Sequence, residues 1–170
     1  MKKVILFIAT TANGFIARKD DSTPWSDDEW SAYAEMVKEA GNIVVGRKTY
    51  EIMKQDNNFD QIGNPFVVVL SQHGEHVSED KAQCVHSTRE ALDLLRHKDF
   101  ETVLISGGAM SLTSFLKDGL VDEIYIDMEP LLFAEGKPLL VPSSFEAQLS
   151  LLGVKQIGPN SIQLHYKVQK

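Results

Sequence analysis

A glycine pair, Gly107-Gly108, closes the apolar run 103–105, and the helical pattern that carries Ser111 follows at once. A strand that stops at glycine before a helix begins leaves backbone N–H groups free. Together with the helix dipole, these donors suit an anion such as phosphate. Tight packing between a strand and a helix explains the same glycines without any ligand. Taken alone, the pair leaves both interpretations open.

A second strand exit of this kind lies at Gly46, where Arg47 and Lys48 open the next helical pattern. Cations in a first turn oppose the helix dipole, and such a local conflict is typical of a functional site. The alternative is that two long side chains simply lie on a solvated face. A third exit, at Ser71-Gln72, also follows an apolar run. Three such exits together predict one anion-binding edge.

Short apolar runs typical of buried strands alternate with helical patterns along most of the chain. Strands are expected at 4–9, 42–46, 66–70, 83–86, 102–105 and 122–130, and helices over 26–40, from 47 onwards, over 87–98 and over 111–117. The segment 55–65 is expected to be a polar loop. Two late strands, at 149–156 and 161–168, form a hairpin without helices. This order predicts an α/β fold with a mainly parallel central sheet and an antiparallel C-terminal pair. In such sheets ligands bind outside the carboxyl ends of the strands, where the three exits lie.

The first helix has clear boundary signals. Ser26 is a good N-cap, and Glu29, three residues later, completes the sequence pattern of a capping box. Gly41 is a stop signal, and Trp30 and Tyr33 lie on the apolar face.

Length and composition predict one domain, 1–170, of ordinary globular character, with 43% hydrophobic and 24% charged residues. The net charge of −7 disfavours nucleic acid and anionic membranes as partners.

The single cysteine, Cys84, excludes an intrachain disulfide and fits a reducing compartment. No run approaches a membrane span, and the short N-terminal apolar run is interpreted as a strand, so a cytoplasmic location is expected. The five histidines lack metal-ligand spacing, and no metal is predicted.

Several blocks spread over nearly the whole chain carry a family resemblance: 9–17 with its Asn-Gly turn, Pro24-Trp25, Gly-Arg-Lys-Thr-Tyr-Glu at 46–51, Leu70-Ser71, Ser-Gly-Gly at 106–108, Gly-Leu-Val-Asp-Glu-Ile at 119–124, Pro130 and Gly136. With these blocks the chain resembles the dihydrofolate reductase-like superfamily. The 119–123 block favours the branch of RibD-type riboflavin biosynthesis reductase domains. The resemblance implies a three-layer α/β/α fold.

The resemblance also implies an NADPH site at the three exits. Arg47 would pair with the 2′-phosphate, and Thr49 and the backbone around Lys48 would hold the pyrophosphate. Ser71 and Gln72 would contact the adenosine end. The full implied set is Ala9, Ile16, Gly46, Arg47, Lys48, Thr49, Leu70, Ser71, Gln72, Ser106, Gly107, Gly108, Ala109, Met110 and Ser111, with Ala9 and Ile16 presenting backbone to the nicotinamide amide.

Two positions depart from the folate reductases. Their pterin-binding carboxylate, on the helix after Pro-Trp, is replaced by Trp30, and a threonine on the facing strand is replaced by Asp127. We hypothesise that Asp127 supplies from the strand the carboxylate that the helix lacks, orienting a heterocycle or stabilising a protonated imine. The alternative is an exposed acid on an edge strand. Trp30 is a candidate substrate platform, with a core position as its alternative.

We therefore expect an NADPH-dependent reductase of a small heterocyclic or imine-type substrate. The resemblance implies, as the nearest activity, 5-amino-6-(5-phosphoribosylamino)uracil reductase of riboflavin biosynthesis. The loop 133–137 lacks the glycines usual in that branch near Ala134, so the ribose-phosphate part of this substrate is not implied. Weak dihydrofolate reductase activity and a non-catalytic nucleotide-binding protein are the alternatives. A homodimer formed through the late strands is expected from the resemblance.

Overall fold

A computed structural model describes residues 3–72 and 77–170. Its strands are β1 (Lys3–Thr11), β2 (Phe15–Ala17), β3 (Asn42–Gly46), β4 (Phe66–Leu70), β5 (Ser78–Glu79), β6 (Ala82–Val85), β7 (Thr102–Ile105), β8 (Glu123–Glu129), β9 (Lys137–Pro138), β10 (Leu149–Gln156) and β11 (Ile162–Val168). Its helices are α1 (Asp27–Ala40), α2 (Arg47–Gln55), α3 (Asn58–Gln61), α4 (Thr88–His97) and α5 (Ala109–Lys117).

Nine of the strands form one sheet in the order β10-β11-β8-β1-β7-β3-β4-β6-β5. The six strands from β8 to β6 are parallel, whereas β10, β11 and β5 pair antiparallel with their neighbours. The prediction of a mainly parallel sheet with an antiparallel C-terminal pair is thereby confirmed.

The two faces of the sheet carry separate apolar clusters, which follow the period-two alternation of β1. Val4 and Leu6 pack with residues of α4 and α5, whereas Ile5 and Phe7 pack with residues of α1 and α2. Burial on both faces explains why the central strands are continuous apolar runs rather than alternating ones. The expected three-layer arrangement is confirmed.

Element boundaries differ from the sequence expectations at a few places. The expected loop 55–65 contains the short helix α3, and α5 begins at Ala109, two residues before the expected start. The α5 start is earlier because Gly108 takes the N-cap position directly after the strand exit. At α1, Ser26 and Gly41 act as the expected caps, with the Gly41 N–H donating to the Val37 carbonyl at 2.8 Å.

No helix in the described part of the chain is long and apolar enough to cross a membrane.

Candidate functional site

Five neighbouring parallel strands, in the order β8-β1-β7-β3-β4, end at one edge of the sheet. Two groups of residues lie along this edge. We call Gly46, Thr49, Gly107, Gly108 and Ser111 the glycine corner, and Glu29, Asp127 and Glu129 the carboxyl cluster. The glycine corner lies where β7 and β3 give way to α5 and α2. The carboxyl cluster lies between the end of β8 and the start of α1.

The glycine corner joins two of the predicted strand exits directly. The Gly46 N–H donates to the Gly107 carbonyl at 2.8 Å, and the Ser106 N–H donates to the Val44 carbonyl at 3.0 Å. Gly107 has a positive φ of 107°, and its peptide bond to Gly108 is cis. The expectation that these exits share one edge is met, because Arg47 and Gly108 follow adjacent strands on the same side of the molecule.

Close packing is one reason for glycine at this corner. A Cβ added to Gly46 would lie 3.0 Å from the Ser111 hydroxyl, and one added to Gly108 would lie 3.3 Å from the Thr49 hydroxyl. The first turns of α2 and α5 therefore leave little room for a larger residue at either glycine. Neither helix has a side-chain cap at its N-terminus. Packing and available N–H donors coexist here, so the glycines fit a bound pyrophosphate as well as a tight corner.

The two cations in the first turn of α2 each have a carboxylate partner. Arg47 Nε lies 3.6 Å from Glu51 Oε1, and Lys48 Nζ lies 2.5 Å from Asp21 Oδ2. These pairs offset the conflict between the cations and the helix dipole. The Arg47 side chain is 51% exposed, so it is accessible to an anion that approaches the corner.

The remaining predicted cofactor residues lie along the same edge, apart from Ile16, which is buried in β2. Ser71 follows β4, and its N–H donates to the Val85 carbonyl at 3.0 Å. Ala9 is buried in β1, opposite Asp127 in the ladder. Leu70 ends β4, Gln72 is exposed beyond it, Ala109 and Met110 open α5, and the Met110 side chain is exposed.

Asp127 is completely buried, with 0% exposure, and β8 lies between β1 and β11. The alternative of an exposed acid on an edge strand is therefore wrong. Within the described residues, neither Asp127 oxygen has a hydrogen-bond partner of normal geometry, although the Gln163 side chain lies close by. Burial raises the Asp127 pKa to about 7; Gln163 opposes this shift, and the nearby Glu129 adds to it.

Glu29 is buried as well, with 3% exposure, which the sequence analysis missed. Ser26 Oγ accepts the Glu29 N–H at 3.2 Å, as a capping box requires. The reciprocal bond is made by a different residue, because the Ser26 N–H donates to Glu129 Oε2 at 2.9 Å. The Glu29 carboxyl is thus free of the cap, and its Oε2 has no partner in the described residues. Burial raises its pKa to about 8, and the negative charges of Asp127 and Glu129 add to the shift.

This arrangement corrects the expectation that the first helix lacks a buried carboxylate. The acid is present one residue before Trp30, at Glu29. The Trp30 ring packs against Tyr33, with centroids 5.6 Å apart. It is half-buried at the edge of the apolar cluster between the sheet and helices α1 and α2, called the α1/α2 cluster below. A sequence signal did exist, in the acid beside an apolar helix face. The capping-box pattern accounts for that acid by itself, because the competing partner Glu129 is distant in sequence.

Tyr33 extends the polar groups from the carboxyl cluster towards the glycine corner. Its ring is buried against Phe7, with centroids 5.4 Å apart. Burial raises the pKa of its hydroxyl; the Ser106 side chain opposes this shift, and Glu29 adds to it. The Tyr33 hydroxyl therefore lies near Ser106, next to the glycine pair.

The turn after β1 and the loop after β8 begin side by side next to the carboxyl cluster, because Thr11 and Glu129 are paired at the ends of these strands. The Asn13 side chain, in the turn after β1, makes two hydrogen bonds to the loop after β8. It donates to the Phe133 carbonyl at 2.8 Å and accepts the Phe133 N–H at 3.2 Å. The Phe133 ring stacks on Trp25, with centroids 6.4 Å apart and planes 10° apart. Trp25 immediately precedes Ser26, so this contact fixes the approach to α1.

Among the described side chains, no group of three or more His, Cys, Asp or Glu could hold a metal ion. His73 and His76 lie outside the described residues.

The residues 2–163 match the model of the RibD C-terminal domain family. The chain belongs to this family. A Bacillus subtilis (strain 168) relative, YwjB, is 26% identical to this RibD C-terminal domain, over 97% of each chain. The family resemblance drawn from the sequence is thereby confirmed.

Solved structures agree with this assignment. A Shewanella sp. PV-4 protein, named as a riboflavin biosynthesis protein, superposes on this chain with a TM-score of 0.80 at 25% identity, over 99% of each chain. A Thermotoga maritima diaminohydroxyphosphoribosylaminopyrimidine deaminase/5-amino-6-(5-phosphoribosylamino)uracil reductase superposes with a TM-score of 0.73 at 18% identity. That match covers 99% of this chain and 57% of the Thermotoga chain. The fold is thus the dihydrofolate reductase-like fold of the RibD-type reductases.

Proposed function

We propose that this RibD C-terminal domain is an NADPH-dependent reductase of a small heterocyclic or imine-type substrate. The observation that carries the proposal is the placement of the glycine corner and the carboxyl cluster at one edge of the sheet. Only β1 separates β7 from β8, so these strand ends lie about 10 Å apart, two strand spacings. That separation suits a cofactor on one side and a substrate on the other.

The glycine corner would hold the phosphates of the cofactor. The uncapped N-termini of α2 and α5 offer backbone N–H donors for the pyrophosphate, and Thr49 adds a hydroxyl. Arg47 would exchange its long contact with Glu51 for a forked contact with the 2′-phosphate. Ser71 and Gln72 would contact the adenosine end. When bound, NADPH supplies the hydride.

The carboxyl cluster would bind and orient the substrate. Ala9, opposite Asp127 in the ladder, would present its backbone to the nicotinamide amide between the two regions. Asp127 would face the substrate from β8 and hold its N–H groups or stabilise a protonated imine. Trp30 would form one wall of the substrate region, at the edge of the α1/α2 cluster.

Family membership favours 5-amino-6-(5-phosphoribosylamino)uracil as the substrate, since the Thermotoga neighbour is named as a reductase of this compound. Weak dihydrofolate reduction is a second candidate, favoured by the buried carboxyl of Glu29 on the helix after Pro24-Trp25. We place the activity in the cytoplasm, in a homodimer that pairs through β10, where Leu151, Leu152 and Val154 are exposed.

Calorimetry with NADPH and NADH, followed by a screen of pyrimidines and pterins for loss of NADPH absorbance, tests the proposal. We expect preferential NADPH binding and substrate-dependent oxidation. Tight NADPH binding without turnover of any compound would favour the non-catalytic alternative. Absence of binding heat with both cofactors would reject the proposal.

A further inference from the structure

Three buried carboxyl oxygens at the substrate end of the site have no hydrogen-bond partner among the described residues: Glu29 Oε2, Asp127 Oδ1 and Asp127 Oδ2. They belong to one side chain on α1 and one on β8. The two elements pack against each other, since Tyr125 joins the apolar cluster of α1 and the Ser26 N–H at the start of α1 donates to Glu129. Two ionised carboxylates in a buried position repel each other and lose the solvation of water. Burial and repulsion therefore favour a state in which one of the two groups is protonated, or in which a ligand satisfies both of them.

The surrounding groups compensate the charge of these two carboxyl groups only in part. From β8, Glu129 adds negative charge, although Ser26 holds both of its oxygens through its N–H at 2.9 Å and its hydroxyl at 3.1 Å. From β11, the neutral Gln163 lies against Asp127, and from β10 the exposed Lys155 attracts it from a distance. From α1, the buried Tyr33 faces Glu29. Within the described residues, no cation forms an ion pair with Glu29 or Asp127.

We propose that Glu29 and Asp127 form a carboxyl pair that holds one proton and delivers it to the imine-type nitrogen of the substrate. The proposal deepens the proposed function and rests on it. The hydride of NADPH adds to the carbon of the C=N bond, and the π electrons of that bond take the proton from the pair. A C–H and an N–H bond form, NADPH is oxidised to NADP⁺, and the pair is left with both carboxylates ionised. A proton from water restores it after the product leaves.

The pair also defines the substrate class. A buried group that carries one proton and one negative charge favours a neutral heterocycle with a basic C=N nitrogen, on which positive charge develops while the proton is transferred. Glu129 cannot replace either member, because both of its oxygens accept hydrogen bonds from Ser26.

Infrared spectroscopy of the full chain tests the pair without any substrate, through the carbonyl band of protonated carboxyl groups. Wild-type protein at about pH 6, above the usual carboxyl range, should retain a protonated band that disappears towards about pH 9. In Glu29→Gln, the remaining Asp127 band should titrate at a lower pH than in wild type, because the neighbouring acid that interacts with Asp127 is gone. Asp127→Asn should shift the Glu29 band in the same direction.

Glu35→Gln is the matched control, because Glu35 lies on the same helix but is exposed. It should leave the band unchanged. Absence of a protonated band at about pH 6 in folded wild-type protein would overturn the pair. An Asp127 titration that is identical in wild type and Glu29→Gln would also overturn it, because the two groups would then not interact.

Calorimetric NADPH binding, measured on the same samples, separates this proposal from the proposed function. NADPH binding without the shared band would reject the pair and leave the reductase standing. The band without NADPH binding would reject the reductase, and with it the role of the pair as proton donor. For a substrate that is reduced, Glu29→Gln should lower kcat most at high pH, whereas a purely structural role would lower it equally at all pH values.

Discussion

Asp127 lies on β8, the strand between β1 and β11. Neither oxygen of its carboxyl group has a hydrogen-bond partner among the described residues. Its face of β8 is set by alternation: Ile124 packs towards α4 and α5, so Tyr125, Asp127 and Glu129 face α1. The apolar rings of Phe7 and Tyr125, with centroids 6.5 Å apart, lie further along the same face. The acid therefore lies at the end of an apolar surface, which explains why burial is the main cause of its raised pKa.

Asp127→Asn should lower the rate of hydride transfer by about 100-fold or more, the usual contribution of a positioned proton donor. NADPH affinity should stay within about twofold of wild type, because the residue lies at the other end of the proposed site. Loss of NADPH absorbance during turnover and calorimetric titration measure the two effects. Glu35→Gln is the exposed control, and unchanged turnover in Asp127→Asn would remove this residue from the mechanism.

Arg47→Ala should weaken NADPH binding by about 10- to 100-fold and leave NADH binding nearly unchanged, because only NADPH carries a 2′-phosphate. Arg89→Ala, which removes an exposed arginine from α4, is the control for the loss of one positive charge. Calorimetry with both cofactors measures the difference. Equal weakening of NADPH and NADH would place Arg47 elsewhere than at the 2′-phosphate.

At the scale of elements, the glycine corner ties α2 to α5 through the bond from the Gly46 N–H to the Gly107 carbonyl. Because α2 and α5 lie on opposite faces of the sheet, their first turns meet only at this edge. The approach is close enough that a methyl group at Gly46 would meet the Ser111 hydroxyl. A side chain at Gly46 would therefore require the Ser111 side chain or the first turn of α5 to shift.

Gly46→Ala should lower the free energy of unfolding by about 1–3 kcal/mol, because the added methyl group overpacks the corner. It should also weaken NADPH binding by moving the two helix N-termini apart. Gly153→Ala is the matched control, since a Cβ there meets nothing within 4 Å. Urea denaturation and calorimetry measure the effects, and a neutral result in Gly46→Ala would contradict the packing argument.

Local signals predicted the elements better than the contacts between them. The alternation of β8, the cap at Ser26 and the stop at Gly41 each depend on neighbours a few residues away, so the sequence alone indicates them. The Glu29 side chain is free to lie in the site because Glu129, one hundred residues later, accepts the Ser26 N–H in its place. No periodic pattern in the sequence predicts that Glu129, and not Glu29, accepts the Ser26 N–H. The pairing of β8 with β11 likewise joins residues distant in sequence, so the sequence alone does not distinguish a buried Asp127 from an exposed one.

At the scale of the whole molecule, β10 forms one edge of the sheet, and Leu151, Leu152 and Val154 are all more than half exposed there. An apolar edge strand normally pairs or is covered. Replacing Leu151 and Val154 together by lysine should shift the proposed homodimer towards monomer in size-exclusion chromatography with light scattering. Ser150→Lys, on the same exposed strand, is the control. A wild-type monomer at micromolar concentration would contradict the dimer.

The carboxyl cluster also makes the stability of the whole molecule depend on pH. The Glu29 pKa is about 8 in the folded protein against an ordinary value of 4.5, so between these values the folded chain binds a proton that the unfolded chain has released. The free energy of unfolding should therefore fall as pH rises from about 5 to 8, by up to about 1.4 kcal/mol per pH unit for each such group. Glu29→Gln removes one titrating group and should flatten this decline, whereas Glu35→Gln should not. Urea denaturation at several pH values measures the slope, and a stability that is constant or rises over this interval in wild type would contradict the buried protonated carboxyl.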